Sequence, residues 1–146
     1  MAGRGLLDTR TDVKVRLSGL WIATLLLFAY VDIFGFWRAD VIEGALAGEV
    51  PGVGFEIGQA FLALTTVYVL LPICMVVVSL FAPATPNRVA NIVVALIYAA
   101  SLVVTAAGET WVYYLLGSVV ETVLLLGIAW TAWSWPREAA TPGLPA

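Results

Sequence analysis

Four long apolar runs, separated by short polar segments, dominate the chain. They cover approximately residues 17–37, 57–81, 89–107 and 111–135, and each is close to the roughly 20 residues that a helix needs to cross a bilayer. Their interiors are continuously apolar, whereas strands of a membrane barrel would alternate apolar and polar side chains. The pattern predicts an all-α integral membrane protein whose fold is an antiparallel four-helix transmembrane bundle.

The connection between the first two runs, residues 38–56, has a pattern of its own. Its apolar residues between positions 41 and 46 recur at helical spacing before Gly48 and Pro51, which predicts a short amphipathic helix in the membrane interface. This helix could act as a lid or simply cap the bundle, and both interpretations remain open. Residues 1–16 are expected to form an N-terminal cytoplasmic segment, and residues 136–146, rich in proline and glycine, a disordered cytoplasmic tail.

The charged residues predict the orientation. Six of the seven basic residues flank the runs on one side, and the other side holds Arg38 among acidic residues. Because short cytoplasmic loops retain Lys and Arg, both termini are predicted to be cytoplasmic in a multi-pass protein of the cell membrane. The basic residues assigned to the cytoplasmic side are Arg4, Arg10, Lys14, Arg16, Arg88 and Arg137.

Composition narrows the possible chemistry. The chain is 62% hydrophobic and 12% charged, with a net charge of -3, so no nucleic-acid partner is expected. It has no histidine and one cysteine, Cys74, which excludes His-ligated metals and haem, His-dependent nucleophiles and an intrachain disulfide. We therefore expect no cofactor and no metal site.

Two carboxylates interrupt the apolar runs without a basic neighbour in sequence: Asp32 and Glu121. Charged groups in hydrocarbon are costly and usually serve a partner, a ligand or a proton. Glu121 lies about 15 Å along the fourth helix from Trp111, near the bilayer midplane. Small residues at 117 and 118 would let another helix approach, so Glu121 is predicted to point into the bundle.

The third run places Asn91, Tyr98 and Thr105 on one helical face. Tyr98 lies at about the depth of Glu121, which predicts a hydrogen bond between these two side chains. In the same region, Asn87 is predicted to cap the start of the third spanning helix. Pro72 is predicted to weaken one backbone hydrogen bond within the second spanning helix, which allows a kink that neighbouring helices can satisfy.

A polar pocket around Glu121, with an acidic entrance on the outer side, follows from these placements. The candidate ligand or proton site comprises Glu121, Tyr98, Asp32, Asn91, Tyr113 and Tyr114, and the candidate entrance comprises Glu56, Gln59 and Glu109. The competing interpretation makes Glu121 a neutral hydrogen-bond donor that holds helices together. The sequence leaves both open.

Several short motifs carry a resemblance to a known family over residues 17–135. They are Leu20-Trp21, Tyr30-Val31-Asp32-Ile33 with Phe36, the segment 87–92, Tyr114 followed by Glu121, and the Trp-rich end of the fourth run. The chain resembles small four-span bacterial membrane proteins of unknown function, although Val31 stands at an alanine position of the family. Its span count is similar to that of DoxX-like proteins, in architecture only. The resemblance implies a bacterial cytoplasmic membrane protein and no particular activity.

Three classes of function remain compatible with the sequence. The first is a non-enzymatic protein that binds a lipophilic or cationic ligand, or moves a proton or solute, with transport requiring a homo-oligomer. The second is an accessory or scaffold subunit that docks another membrane protein through small residues. The third is a membrane enzyme using Asp32 and Glu121 as acid and base, but no nucleophile, phosphate loop or metal-ligand pattern accompanies them.

Overall fold

The computed structural model describes residues 9–51 and 54–136, and this part of the chain is helical. The helices are α1 Val13–Gly35, α2 Ala39–Ala47, α3 Gln59–Phe81, α4 Ala84–Ala106 and α5 Val112–Trp133. All but α2 are long and apolar enough to cross a membrane. The predicted all-α membrane protein with four spans is therefore confirmed.

Two of the spanning helices begin before the apolar run that predicts them. α1 begins at Val13, where the side chain of Asp12 accepts a hydrogen bond from the backbone N–H of Lys14. α4 begins at Ala84, and Pro86 lies in its first turn, where proline's missing N–H needs no intrahelical partner. An apolar run marks only the lipid-buried part of a helix, so polar first turns escape it. Residues 1–8 and 137–146, including most of the predicted tail, lie outside the described residues.

Most of the packing between the spanning helices involves α1 or α5. α1 packs against α3 and α5, and α5 also packs against α4, whereas the packing of α3 against α4 is the loosest of these four pairs. The shared core contains Leu17, Trp21, Tyr98, Leu125 and Ile128, all nearly or completely buried. The bundle is thus well closed along α1 and α5 and loosest between α3 and α4.

Helices α1 and α5 pack tightly at Gly117. A Cβ atom at this position would lie 2.5 Å from Cγ2 of Val31, so only glycine fits without a shift. Ser118, the next residue, is also buried. The prediction that small residues at 117 and 118 admit another helix is confirmed, and Val31 of α1 supplies the contact.

One end of the bundle, which we call the Asn87 end, is held by polar contacts to the last turn of α3. Lys14 Nζ donates to the Ala82 carbonyl over 2.9 Å, and Asn87 Nδ2 donates to the Ser79 carbonyl over 2.8 Å. Arg88 donates to the Trp133 carbonyl over 3.1 Å. The predicted role of Asn87 as the N-cap of α4 is wrong: the helix has already begun at Ala84, and Asn87 instead satisfies carbonyls at the end of α3.

The opposite end, the Arg38 end, is organised by one guanidinium group. Arg38 pairs with Asp40 over 2.6 Å and with Glu109 over 3.0 Å, and it lies 4.6 Å from the ring centroid of Trp111. Helix α2 begins beside it, and Gly48, which follows its last residue, adopts a left-handed conformation with a φ of 78°. A short helix is thus present where the pattern predicts one, while its position in the interface and its role as a lid stay predictions. None of its residues is buried, and Leu46 is 84% exposed.

Candidate ligand site

A cavity of about 300 Å³ lies among the four spanning helices. Each helix contributes two or three residues to its wall, so the cavity is a property of the whole bundle. The lining residues are Phe28, Val31 and Asp32 of α1, Thr65, Tyr68 and Val69 of α3, Ser101, Leu102 and Thr105 of α4, and Tyr114 and Glu121 of α5. The sequence-predicted Asp32, Tyr114 and Glu121 are brought together here.

Glu121 is the most buried polar residue of this wall. It lies about 14 Å along the axis of α5 from Val112, at 1.5 Å per residue, and its side chain is 2% exposed. Its Oε1 atom is buried, and no described residue donates a hydrogen bond to it. The Gly117–Val31 contact lies one turn away on the same face and holds α1 against α5 at this level. Glu121 is therefore a residue of the cavity wall that has one buried carboxyl oxygen without a donor among the described residues.

Asp32 occupies the part of the wall nearer the Arg38 end. It lies three residues, or about 4.5 Å, before the last residue of α1, and its side chain is exposed. Among residues 9–51 and 54–136, no Lys or Arg lines this cavity. The two carboxylates thus belong to one cavity at different levels of the bundle, with Asp32 nearer the Arg38 end.

Tyr98 has a different partner from the one predicted. Pro72 has no backbone N–H, so the carbonyl of Tyr68, four residues earlier in α3, loses its intrahelical donor. The Tyr98 hydroxyl of α4 donates to that carbonyl. The predicted Tyr98–Glu121 hydrogen bond is wrong, because the Tyr98 hydroxyl donates to the carbonyl that Pro72 leaves without a donor. The expectation that a neighbouring helix compensates for the hydrogen bond lost at Pro72 is confirmed, and the kink stays a prediction.

Aromatic rings form one side of the cavity around this bond. The Tyr98 ring lies 4.6 Å from that of Tyr68 and stacks on Phe28 at 6.4 Å, measured between centroids. The Tyr68 hydroxyl shares a 2.7 Å hydrogen bond with the Ser101 hydroxyl of α4. Phe28 and Tyr68 face the cavity, while Tyr98 is buried behind them.

Asn91 belongs to a separate polar cluster toward the Asn87 end. Its Oδ1 atom accepts hydrogen bonds from the indole N–H of Trp21 over 2.7 Å and from the Ser79 hydroxyl over 3.1 Å. Its Nδ2 group donates to both the carbonyl and the side chain of Asn87. The amide has partners on both sides and no place on the cavity wall. Asn91 therefore ties α1, α3 and α4 together.

The predicted entrance residues do not line the cavity either. Glu109 is paired with Arg38, and it also accepts hydrogen bonds from the backbone N–H groups of Thr110 and Trp111. Partial burial opposes ionisation, but these hydrogen bonds hold the pKa of Glu109 below its ordinary value. Glu56 forms an isolated backbone bridge with Glu49, and Gln59 is an exposed first residue of α3.

Tyr113 also lies away from the cavity wall, at the Arg38 end. Its ring contacts those of Trp111 and Tyr114, with centroids 6.3 and 6.4 Å away. The Arg38 pair also affects Asp40, because its hydrogen bond from Arg38 lowers the pKa of the Asp40 carboxyl. The Arg38 end is thus a set of ion pairs and aromatic contacts between α2 and the segment that joins α4 to α5.

Comparison with known proteins supplies a family. A family model matches residues 6–141, which is nearly the whole chain. The chain belongs to DUF6326, a family of unknown function. The expected membership of a family of unknown function is thereby confirmed. No curated protein and no solved structure matches this DUF6326 protein.

The cavity of the DUF6326 protein includes residues that sequence reasoning missed. Tyr68 and Thr65 of α3 and Ser101 of α4 lie on its wall, but nothing in the apolar run of α3 indicates which face turns inward. The spacing between Tyr68 and Pro72 was a usable signal, since a helix proline identifies the carbonyl it leaves free. Asn91 and Tyr98 share a helix face, but the structure separates their roles along the helix.

Proposed function

We propose that this DUF6326 protein is a multi-pass membrane protein that binds a lipophilic or cationic ligand, or carries a proton or solute, in the cavity around Glu121. One observation carries the proposal: Glu121 Oε1 is buried at a four-helix cavity and has no hydrogen-bond partner among the described residues. Nearly all buried polar groups in proteins have such partners. A ligand that brings a donor or a positive charge supplies what this oxygen lacks.

The architectural role of Glu121 is less well supported. A carboxyl group that holds helices together must exchange a hydrogen bond with a neighbouring helix. Asn91 does so with Trp21 and Ser79, and Tyr98 does so with the Tyr68 carbonyl. Glu121 Oε1 makes no such contact with the described chain. The bundle already has polar links between its helices, and Glu121 is not needed as one.

The proposal includes a membrane orientation. We place the helices antiparallel, with both termini in the cytoplasm of a bacterial cell and α2 on the outer side. Basic residues support this: Arg10, Lys14 and Arg16 precede or begin α1, and Arg88 lies in the second turn of α4. Lys14 contacts the end of α3, so these charges gather at the Asn87 end, as cytoplasmic ends require. The cavity then opens in the outer half of the bilayer.

The scaffold interpretation draws less support from the packing. It requires small residues on the surface of the bundle, where another protein could approach. The small residues considered for this role are Ala95, Ala99, Ala106, Gly117 and Ser118. Four of them are instead buried among the protein's own helices, and Ala106 is half-buried. Movement of a solute through so narrow a bundle would require a homo-oligomer, whereas ligand binding requires only one chain.

Carbodiimide labelling tests the proposed site. Dicyclohexylcarbodiimide partitions into bilayers and reacts with carboxyl groups that it can reach from lipid. In nanodiscs, peptide mass spectrometry should locate the adduct at Glu121, and Glu121→Gln should abolish it while Glu43→Gln, on α2, should not. Absence of the adduct from Glu121 in the folded wild-type protein would overturn the proposal. A stoichiometric membrane protein that co-purifies and blocks the labelling would favour the scaffold role.

A further inference from the structure

We propose that the Glu121 cavity binds a lipophilic amine that reaches it from the bilayer through the gap between α3 and α4. This inference rests on the proposed function and specifies its ligand and route. It combines the charge of the cavity, the chemistry of its wall, the free oxygen of Glu121 and the loose packing between two helices.

The charge of the wall selects a cation. Asp32 and Glu121 are its only acidic residues, and no basic residue of the wall compensates them. Two carboxyl groups in a low-dielectric cavity repel an anion and gain most from a positively charged partner. Arg38, which could have served, is engaged with Asp40 and Glu109 at the end of the bundle.

The rest of the wall selects an organic cation over a metal ion. Metal cations such as Ca²⁺ take six or more oxygen ligands, and Mg²⁺ takes six in a strict octahedron. No group of three or more acidic, His or Cys residues in the described ranges could hold a metal. The wall offers apolar surface instead, from Phe28, Val31, Val69 and Leu102, and the face of Tyr68. An aromatic or aliphatic body fits this surface, and a cationic head can also interact with the rings.

Glu121 selects among organic cations. Its Oε1 atom lacks a donor from the described protein, and a protonated amine carries N–H groups that can form a short, charge-assisted hydrogen bond. A quaternary ammonium group has the charge but no N–H. The geometry therefore favours primary, secondary or tertiary amines over quaternary ones.

The route follows from the packing of α3. No residue of α3 before Pro72 is buried, and Met75 and Ser79 are buried after it. Tyr68 is 41% exposed although it lines the cavity. At this level the described hydrogen bonds between α3 and α4 all involve Tyr68, whose hydroxyl bonds to Ser101 and whose carbonyl accepts from Tyr98, and α3 and α4 otherwise pack loosely. The cavity is thus weakly closed toward lipid on this side, where a membrane-dissolved amine would enter.

Equilibrium binding of three matched probes tests the ligand class. Benzylamine, benzyltrimethylammonium and benzyl alcohol share one ring and differ in charge and N–H groups. With the protein in nanodiscs and protein-free nanodiscs as background, benzylamine should bind and should protect Glu121 from dicyclohexylcarbodiimide. Because a carbodiimide-activated carboxyl group couples to a primary amine and releases the urea, protection means that peptide mass spectrometry finds neither the carbodiimide adduct nor the N-benzyl amide at Glu121. The quaternary probe should bind at least tenfold more weakly, and benzyl alcohol should give no protection. Glu121→Gln should weaken benzylamine binding at least tenfold, whereas Glu43→Gln should leave it unchanged.

A second pair of variants tests the route. Ser101→Trp places a large side chain at the Tyr68 contact, whereas Val103→Trp places one on the lipid-exposed face of the same helix. Because Ser101 also lines the cavity, the two rates are read together. Ser101→Trp should slow both association and dissociation of benzylamine at least tenfold, whereas a Trp that merely filled the cavity would speed dissociation. Val103→Trp should change neither rate. Equal rates in the two variants would overturn entry between α3 and α4.

The outcomes separate this inference from the proposed function. If benzyl alcohol or the quaternary probe protects Glu121 as well as benzylamine does, the amine class is wrong while the site stands. If benzylamine binding is unaffected by Glu121→Gln, the proposed contact is wrong. If Glu121 never reacts with the carbodiimide in the folded protein, the proposed function itself fails. Glu121→Asp provides a check on folding, because it retains the carboxyl group and should retain measurable benzylamine binding.

Discussion

The Tyr98 hydroxyl should matter only because Pro72 is present. Removing it with Tyr98→Phe leaves the Tyr68 carbonyl without its donor inside the bundle. An unsatisfied buried acceptor costs about 1–3 kcal/mol, while hydrogen bonds between membrane helices average about 0.6 and reach about 1.7 kcal/mol. We therefore expect Tyr98→Phe to lower the free energy of unfolding by about 1–1.5 kcal/mol.

Pro72→Ala supplies the complementary change. It returns a backbone N–H that can donate to the Tyr68 carbonyl within α3, so the hydroxyl becomes redundant. Tyr98→Phe in this background should cost less than about 0.5 kcal/mol, which leaves a coupling energy of about 1 kcal/mol. Because Pro72 is buried, Pro72→Ala alone can destabilise by repacking, and only the four-corner cycle isolates the bond.

Reversible unfolding in mixed micelles, followed by circular dichroism during titration with sodium dodecyl sulfate, measures each corner of the cycle. Tyr30→Phe is the matched control, since Tyr30 is 55% exposed, and it should shift the midpoint little. An equal cost of Tyr98→Phe with and without Pro72 would refute the reasoning. It would mean that the hydroxyl serves some other group, such as the Glu121 carboxyl that the sequence pattern suggests.

Two further variants test the packing and the Arg38 end. Gly117→Ala should destabilise the protein by about 1–3 kcal/mol, because its Cβ atom would clash with Val31. Adding Val31→Ala should relieve that clash. Gly127→Ala, whose Cβ atom would meet no atom within 4 Å, should be neutral in the same assay. The lowered pKa of Glu109 means that its pairing with Arg38 stabilises the protein at neutral pH and is lost as pH falls below the ordinary value of 4.5. Glu109→Gln should lower the unfolding free energy by roughly 0.5–1 kcal/mol at pH 7 and by less at pH 3, and an equal difference at both values would contradict the assignment.

Much of the fold follows from the sequence because lipid imposes simple rules on it. An apolar run of spanning length must form a helix, since backbone groups in hydrocarbon need internal partners, and α3 and α5 follow their runs within two residues. The early start of α4 was missed because the prolines around residue 84 suggest a turn. They are compatible with a helix when they occupy its first positions.

Within the candidate site, the sequence predicts only the residues whose placement in the membrane is energetically costly. Asp32 and Glu121 stand out because carboxylates in hydrocarbon are expensive, and both line the cavity. The contribution of α3 was not predictable, since its apolar residues surround the helix and its rotation depends on packing against α1. Depth alone predicts that Tyr98 pairs with Glu121. The Tyr98 hydroxyl instead donates to the Tyr68 carbonyl, because Pro72 leaves that carbonyl without its intrahelical donor.

The central claim is that Glu121 serves a ligand and not a neighbouring helix. An experimental density map of the protein in lipid nanodiscs, recorded with and without benzylamine, tests this most directly. We expect Glu121 to face a cavity bounded by all four spanning helices, with no protein donor within hydrogen-bonding distance of Oε1. With benzylamine present, we expect the amine nitrogen at hydrogen-bonding distance from Oε1. A closed interior in which Tyr98, Tyr68 or another side chain donates to Glu121 would contradict the central claim.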